Sequence, residues 1–378
     1  MTSSTTRSPT HQQPSTPSHV PGLWAWTVGC VTGLVLASAG LGLLLPHVSK
    51  EGWVPASWVG LAAVLVGTVV AATSAWRLLG GTRRRWWLLT IPALLVTAYL
   101  SLWTVGQGVA ASIPAHPALG SRTPADVGLT YESVTLRTED GVDLAAWWVP
   151  SQNGAAVALL HGAGSTRTAV LDQAAVVARH GYGVLLVDAR GHGESGGRGM
   201  DFGWYGERDA DAAVSFLTRA PGVEPGRVGI VGLSMGGEEA IGAAGLDPRV
   251  RAVVAEGATG RVAADKGYLV EAYGVRGRVQ QGIDWLTYAV AGALTAAPQP
   301  ESLRHSVVAA NADGTPTPVL LITAGDVETE LQAATYIQDA APAAVQVWTV
   351  PGAGHTQGLE TAPAEWEQHV VGFLDAAL

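Results

Sequence analysis

The sequence predicts an α/β domain built on a mostly parallel, doubly wound sheet with a small helical lid, carried behind three transmembrane helices. Three observations predict it. Uncharged apolar stretches fill most of residues 22–106. From residue 131 onward, short runs of β-forming residues alternate with helical stretches. Within that alternation a glycine-flanked serine stands where an apolar run gives way to a helix, at Gly232-Leu233-Ser234-Met235-Gly236.

The apolar stretches come first. Gly22–Leu45 runs 24 residues without a charge, Gly52–Trp76 runs 25, and Trp86 to Gly106 forms a third. Each meets the requirement of about 20 residues for crossing roughly 30 Å of hydrocarbon at about 1.5 Å per residue. Trp24, Trp26, Trp53, Trp58, Trp76, Trp86, Trp87 and Trp103 sit at or near their ends, as in an interfacial aromatic belt. Three such stretches in succession argue against buried helices of a soluble core. Segment 77–85 holds four arginines, whereas 46–51 holds one lysine and one glutamate. Positive charge stays inside, so 77–85 is expected in the cytoplasm and everything after the third helix outside it. The expectation is an integral protein of the plasma membrane with an extracytoplasmic catalytic domain. Residues 1–21, rich in Ser, Thr, Pro and Gln, read as a disordered tail. Residues 107–128, with Pro114, Pro117 and Pro124, read as a linker to a domain over 129–378.

Composition narrows the function classes. Of 378 residues, 48% are hydrophobic and 14% charged, and the net charge is −9. Residues 1–112 hold six basic groups and one acid, so residues 113–378 carry −14. Nucleic-acid binding needs Lys and Arg against phosphate, and an acidic domain offers the reverse. Cys30 is the only cysteine, which excludes an intrachain disulfide and a cysteine-rich zinc site. Its apolar surroundings suit an inert thiol.

In the domain, Tyr131–Leu136 and Val142–Val149 flank the turn Glu139-Asp140-Gly141 and predict an antiparallel hairpin. Strands follow at Ala155–Leu160, Gly183–Val187, Arg227–Val231, Val250–Ala255, Val319–Ile322 and Val345–Val350. Helices are expected near 167–180, 204–219, from Met235, near 329–340 and near 363–377. The later runs are apolar throughout, as strands covered on both faces must be. Strand–helix alternation then argues a parallel, doubly wound sheet with an antiparallel edge.

Ser234 is the candidate nucleophile. A serine on a sharp strand-to-helix turn needs neighbours two residues away without side chains, and Gly232 and Gly236 supply that. The turn aims a helix N-terminus at the hydroxyl, so the Met235 amide can donate to a developing oxyanion. His161-Gly162-Ala163-Gly164 follows a strand and offers a second donor, the Ala163 amide. His161 itself is read as shaping this loop, because the expected order of serine, acid and histidine puts the base nearer the C-terminus.

With HGAG at 161–164, DARGHGES at 188–195, GLSMGG at 232–237 and GAGH at 352–355, residues 130–378 resemble the α/β-hydrolase superfamily. The Asp-x-Arg-Gly-x-Gly-x-Ser stretch is similar to that of its bacterial serine esterase and peptidase-like branches. The resemblance implies His355 as the base, in the loop after the last strand, whereas His305 and His369 lie in the insertion and the final helix. Asp188 is structural on this reading, since the nucleophile position is a serine. For the acid, the resemblance places a carboxylate about three residues past Gly325, which is Glu328. Asp326 is the alternative and Glu330 a distant third.

Residues 258–317, with Tyr268, Tyr273, Trp285 and Tyr288, read as a lid that roofs the serine and excludes water. No metal motif, dinucleotide fingerprint or phosphate loop is present, so no cofactor is expected. The expected function is hydrolysis of an ester, thioester or amide through an acyl-enzyme on Ser234. The partners expected are a small-molecule or lipid-like acyl substrate and the membrane. The alternatives are an acyltransferase using the same residues and a catalytically silent membrane interaction protein. A transporter role fits poorly, since the apolar stretches carry no mid-span acid or base.

Overall fold

The computed structural model describes residues 22–312 and 316–378. The expected disordered tail, apart from its boundary with Gly22, lies outside the described residues, as do three residues near the end of the lid insertion. Helix α1 (Leu23–Lys50) and helix α2 (Pro55–Gly81) pack antiparallel through small residues. A Cβ placed on Gly33 would lie 2.4 Å from the Ala71 nitrogen, and one on Gly40 would lie 2.7 Å from the Gly60 oxygen. Such close backbone approach is how apolar helices gain packing energy where no hydrophobic effect drives them together. The third span comprises α3 (Trp87–Ser101), a π turn (Leu102–Gly106) and α4 (Gln107–Ser112). All three spans, Leu23–Lys50, Pro55–Gly81 and Arg84–Ser112, are long and apolar enough to cross a membrane.

The third span thus continues six residues into the stretch expected as linker. No proline falls between Gly106 and Pro114, and Gly108 packs against the lid, where a Cβ would lie 2.8 Å from Val290 Cγ1. The helix therefore has a surface to rest on where a free linker would have none.

Beyond it, eight strands among the described residues form one sheet in the order β1-β2-β4-β3-β5-β6-β7-β8. Strands β1 (Glu132–Arg137) and β2 (Asp143–Val149) make the expected antiparallel hairpin, and β2 also pairs antiparallel with β4. Strands β3 (Ala156–Leu160), β4 (Gly183–Val187), β5 (Val228–Leu233), β6 (Ala252–Glu256), β7 (Val319–Ala324) and β8 (Val345–Val350) run parallel. Every residue of β3 to β7 is buried, which explains their uninterrupted apolar sequences.

Helix α5 (Leu171–Arg179) covers one face of the sheet with two C-terminal helices introduced below. Helices α6 (Gly206–Leu217) and α7 (Met235–Leu246) cover the other. The insertion contains α8 (Tyr268–Tyr273), α9 (Val275–Thr295) and α10 (Leu303–Ala309). Helix α11 (Glu328–Gln338) follows β7, and α12 (Gly358–Thr361) and α13 (Pro363–Ala377) close the chain. Trp366, Val370 and Leu374 of α13 fill the first face beside Leu171, Ala174 and Val177 of α5. Because β4 and β5 flank β3 on opposite sides, the chain reverses its direction across the sheet at β3. The loops leaving β3 and β5 therefore open side by side at the carboxyl ends of the strands, a crevice that parallel sheets use for ligands.

Candidate active site

Ser234 caps α7 with φ 52° and ψ −118°, a backbone that non-glycine residues rarely adopt. Holding it costs about 1–3 kcal/mol, which the surrounding packing must offset. Its amide donates to the Glu256 oxygen at 2.7 Å, so the strained residue is locked to the end of β6. The two glycines are required sterically. A Cβ on Gly232 would sit 2.2 Å from the Gly236 oxygen, and one on Gly236 would sit 2.4 Å from the Leu160 oxygen. Strand, turn and helix can meet this closely only without side chains there.

His355 arrives from the loop after β8. Its Nε2 lies 2.9 Å from Ser234 Oγ. Its Nδ1 lies 2.6 Å from Glu330 Oε1. Glu330 Oε2 accepts from the Ala324 amide at 2.8 Å, which ties the carboxylate to the end of β7. The Glu330 side chain is only 1% exposed. A buried carboxylate accepting from Nδ1–H leaves the Nε2 lone pair facing the hydroxyl. Chiefly through this hydrogen bond, His355 binds its proton more tightly than a free imidazole, and Glu330, Glu238 and Glu256 add attraction in the same direction. Burial opposes the rise without cancelling it.

The acid expected from the sequence is thereby corrected. Glu328 is exposed and accepts from Gln332 Nε2 at 3.0 Å, and Asp326 is also exposed. Counting residues from Gly325 treats the segment as an extended loop, but α11 begins at Glu328. Two residues along a helix turn about 200°, so Glu328 faces water when Glu330 faces the imidazole. The signal that could have found Glu330 is its place on the buried stripe with Ala333, Ala334 and Ile337.

The 161–164 loop lies against Ser234, where a Cβ on Gly162 would be 3.3 Å from Ser234 Cβ. Ala163 is exposed at the mouth beside it. Met235 is the first residue of α7, so its amide has no intrahelical acceptor. His161 is buried, accepts from the Ala189 amide at 3.0 Å and contacts the Gly162 oxygen at 2.8 Å through Nδ1. Burial, then the neighbouring His192, push its pKa down to about 3, so it stays neutral. His192, absent from the sequence reading as a loop support, accepts from the Gly164 amide at 3.3 Å. Asp188 is fully buried and accepts from the Arg167 amide and Nη1, both at 2.7 Å, and from the Glu194 amide at 2.9 Å. Those bonds brace the loop after β4, and Asp188 does not reach the hydroxyl's partners.

Comparison with known proteins agrees with this geometry at the level of the fold. A profile described as "Alpha/beta hydrolase family" matches residues 157–368. The thiohydrolase aneE of Aspergillus aculeatus is 37% identical over 134 residues, which are 33% of this chain and 41% of that protein. The polyketide transferase ATR5 of Stachybotrys chlorohalonatus is 37% identical over 132 residues, 34% of this chain and 44% of that one. The chain therefore spans less than half the length of these curated relatives. Among solved structures, an esterase of Pyrococcus furiosus, Pf2001, superposes with a TM-score of 0.54 at 24% identity, covering 69% of this chain and 97% of its own. With four motifs in order, a serine on a strained strand-to-helix turn and the matched profile, this chain belongs to the α/β-hydrolase family.

Proposed function

We propose that this protein is a membrane-tethered serine hydrolase that cleaves an ester or thioester through an acyl-enzyme on Ser234. The observation that carries the reading is the continuous chain of contacts Ser234 Oγ–His355 Nε2 at 2.9 Å and His355 Nδ1–Glu330 Oε1 at 2.6 Å. In the proposed reaction, Ser234 Oγ attacks the acyl carbonyl while its proton passes to His355 Nε2. Glu330 stabilises the resulting imidazolium and keeps Nδ1–H pointed inward. The Met235 and Ala163 amides receive the oxyanion of the tetrahedral intermediate. Collapse expels the alcohol or thiol, which takes the proton from Nε2. Water then attacks the acyl-enzyme, giving its proton to His355, and collapse breaks the bond to Ser234 Oγ, which takes the proton back from Nε2 as the acid leaves.

Tethering rests on the three apolar helices, and the orientation on Arg77, Arg83, Arg84 and Arg85, which we place in the cytoplasm with the hydrolase domain outside, at the plasma membrane. A second reading, transfer of the acyl group to an alcohol, is favoured by the similarity to proteins named as polyketide transferases. It uses the same acyl-enzyme and differs only in the acceptor. Labelling by a fluorophosphonate probe tests the shared step. The protein should be labelled, and Ser234→Ala should not. An unlabelled parent protein would end both readings. Competition between water and an added alcohol for the acyl group separates them.

A further inference from the structure

Helix α9 exposes large apolar residues on the side it turns away from the domain. A helix packed on a soluble domain turns its apolar face inward. Here the buried residues are Gly277, Ile283, Thr287, Tyr288 and Ala291, and Gln281 and Asp284 are half-buried beside them, so the inward side mixes apolar and polar groups. They are engaged by the lid loop: Gln281 Nε2 donates to the Ala263 oxygen at 3.2 Å and the Tyr288 hydroxyl to the Gly260 oxygen at 3.3 Å. Val275, Val279, Leu286 and Ala293 share the opposite, outer face by their 3.6-residue spacing, with no charge among them. Val275 is 78% exposed, Val279 60% and Leu286 45%. Trp285, 60% exposed, borders this face on one side, and Arg276 and Arg278 stand at its start.

That outer face is continuous with the membrane anchor. The C-terminal half of α9 packs on α4, where Gly108 meets Val290 and the Thr287 oxygen. The same side of the domain carries the candidate active site. Lys50, the last residue of α1, donates to the Gly164 oxygen at 3.2 Å. Arg198 Nη2 donates to the Ser112 oxygen at 2.9 Å, and the Asp201 amide to the Ala111 oxygen at 2.9 Å. The ends of the first and third spans therefore abut the carboxyl ends of the strands, where Ser234 and His355 stand.

We infer that α9 lies in the bilayer interface with its outer face among the acyl chains, and that the site draws its acyl ester from lipids of that bilayer. An uncharged face, a bordering tryptophan and basic residues at headgroup level are what such a helix presents to a membrane. Water offers no compensation for exposing three large aliphatic residues in one row, whereas lipid does. Tyr288 and Gln281 couple the helix to loop 258–263, which follows Gly257 beside the His355 ring. Lateral entry of an acyl chain beneath α9 would bring its ester to Ser234 without passage through water. The inference rests on the serine-hydrolase reading for the chemistry, while the location of α9 stands on its own.

Two measurements on the full chain test it. In a Cys30→Ala background, Leu286→Cys or Asp339→Cys carries an environment-sensitive fluorophore, in vesicles of phosphatidylcholine and phosphatidylglycerol containing doxyl lipid. The probe at Leu286 should emit as in an apolar medium and be quenched by the doxyl group, and the probe at Asp339, at the far end of α11, should not. Water-like, unquenched emission at Leu286 overturns the placement. Separately, Val279→Asp and Leu286→Asp should slow hydrolysis of a long-chain ester held in the vesicles by about tenfold or more. Turnover of soluble p-nitrophenyl acetate should stay within roughly twofold, since neither residue touches the triad. Parallel loss on both substrates, or loss on neither, sinks the lipid route. A parent protein that turns over neither ester and resists fluorophosphonate brings down the hydrolase reading instead, and the quenching result still decides where α9 lies.

Discussion

At the scale of single residues, the hydrogen bond between His355 and Glu330 sets a pH dependence. In the proposed mechanism the imidazole must be neutral to accept the serine proton, and its pKa lies above the ordinary 6.5 because Glu330 holds the charged form. Activity should therefore rise with pH through a value above that of free histidine. The stability link has the opposite sign. A raised folded-state pKa contributes stability that is fully present below about pH 6.5 and is lost as pH climbs through the folded value. Glu330→Gln should shift the acid limb of kcat/KM downward and reduce kcat by about 10³–10⁴-fold, because the imidazolium loses its counter-charge. Glu328→Gln and Asp326→Asn should leave kcat within roughly twofold, as substitutions of exposed side chains. A pH–rate series on the three variants checks this, and a large loss at Glu328 would contradict the assignment. Ser234 and His355, which the structure brings within 2.9 Å, were legible as candidates because each sits in a glycine-bounded turn directly after an apolar run. The acid was not, because its role depends on a helical rotation that counting from Gly325 does not capture. The stripe Glu330, Ala333, Ala334 and Ile337 is a helix-phase signal that the expected helix near 329–340 carried and that counting from Gly325 passed over.

At the scale of elements, the strands were readable for a physical reason: both faces of β3 to β7 are covered, so nothing polar interrupts them. The insertion was readable as helical, but the exposed apolar side of α9 was not, since its aromatic residues fall on both sides of the helix. The strand–turn–helix around Ser234 yields a direct test of close packing. Gly236→Ala would drive a Cβ to 2.4 Å from the Leu160 oxygen and 2.8 Å from the His161 oxygen, both backbone atoms that cannot step aside cheaply. It should lose about 1–3 kcal/mol of stability, as overpacked sites do, and displace the 161–164 loop enough to remove most activity. Gly372→Ala is the matched control. Gly372 lies within α13 with open space around its Cβ position, so alanine there should stabilise by about 0.5–1 kcal/mol through helix propensity. Thermal melting of the two variants beside the parent protein separates a steric requirement at the turn from a general intolerance of added methyl groups.

At the scale of the molecule, the sequence suggested a domain held at the end of a linker, and the structure has it seated on its anchor. Lys50 reaches Gly164, the α4 end receives Arg198 and Asp201, and Glu51 engages the His116 amide. These contacts were illegible beforehand because they join residues more than 60 positions apart, and no local pattern encodes such a meeting. Their consequence for the proposed membrane arrangement is that the domain lies on whichever side the ends of α1 and α4 emerge. The 77–85 segment, at the opposite ends of the spans, carries Arg77, Arg83, Arg84 and Arg85, whereas Lys50 and Glu51 cancel at the domain side. On the orientation we propose, with arginine retained on the cytoplasmic side, Ser234 stands outside the cell. In a Cys30→Ala background, a membrane-impermeant maleimide applied to intact cells should modify Asp339→Cys and leave Arg84→Cys untouched until the membrane is opened. The reverse pattern would put the hydrolase domain in the cytoplasm, and with it the leaflet from which α9 could draw a substrate.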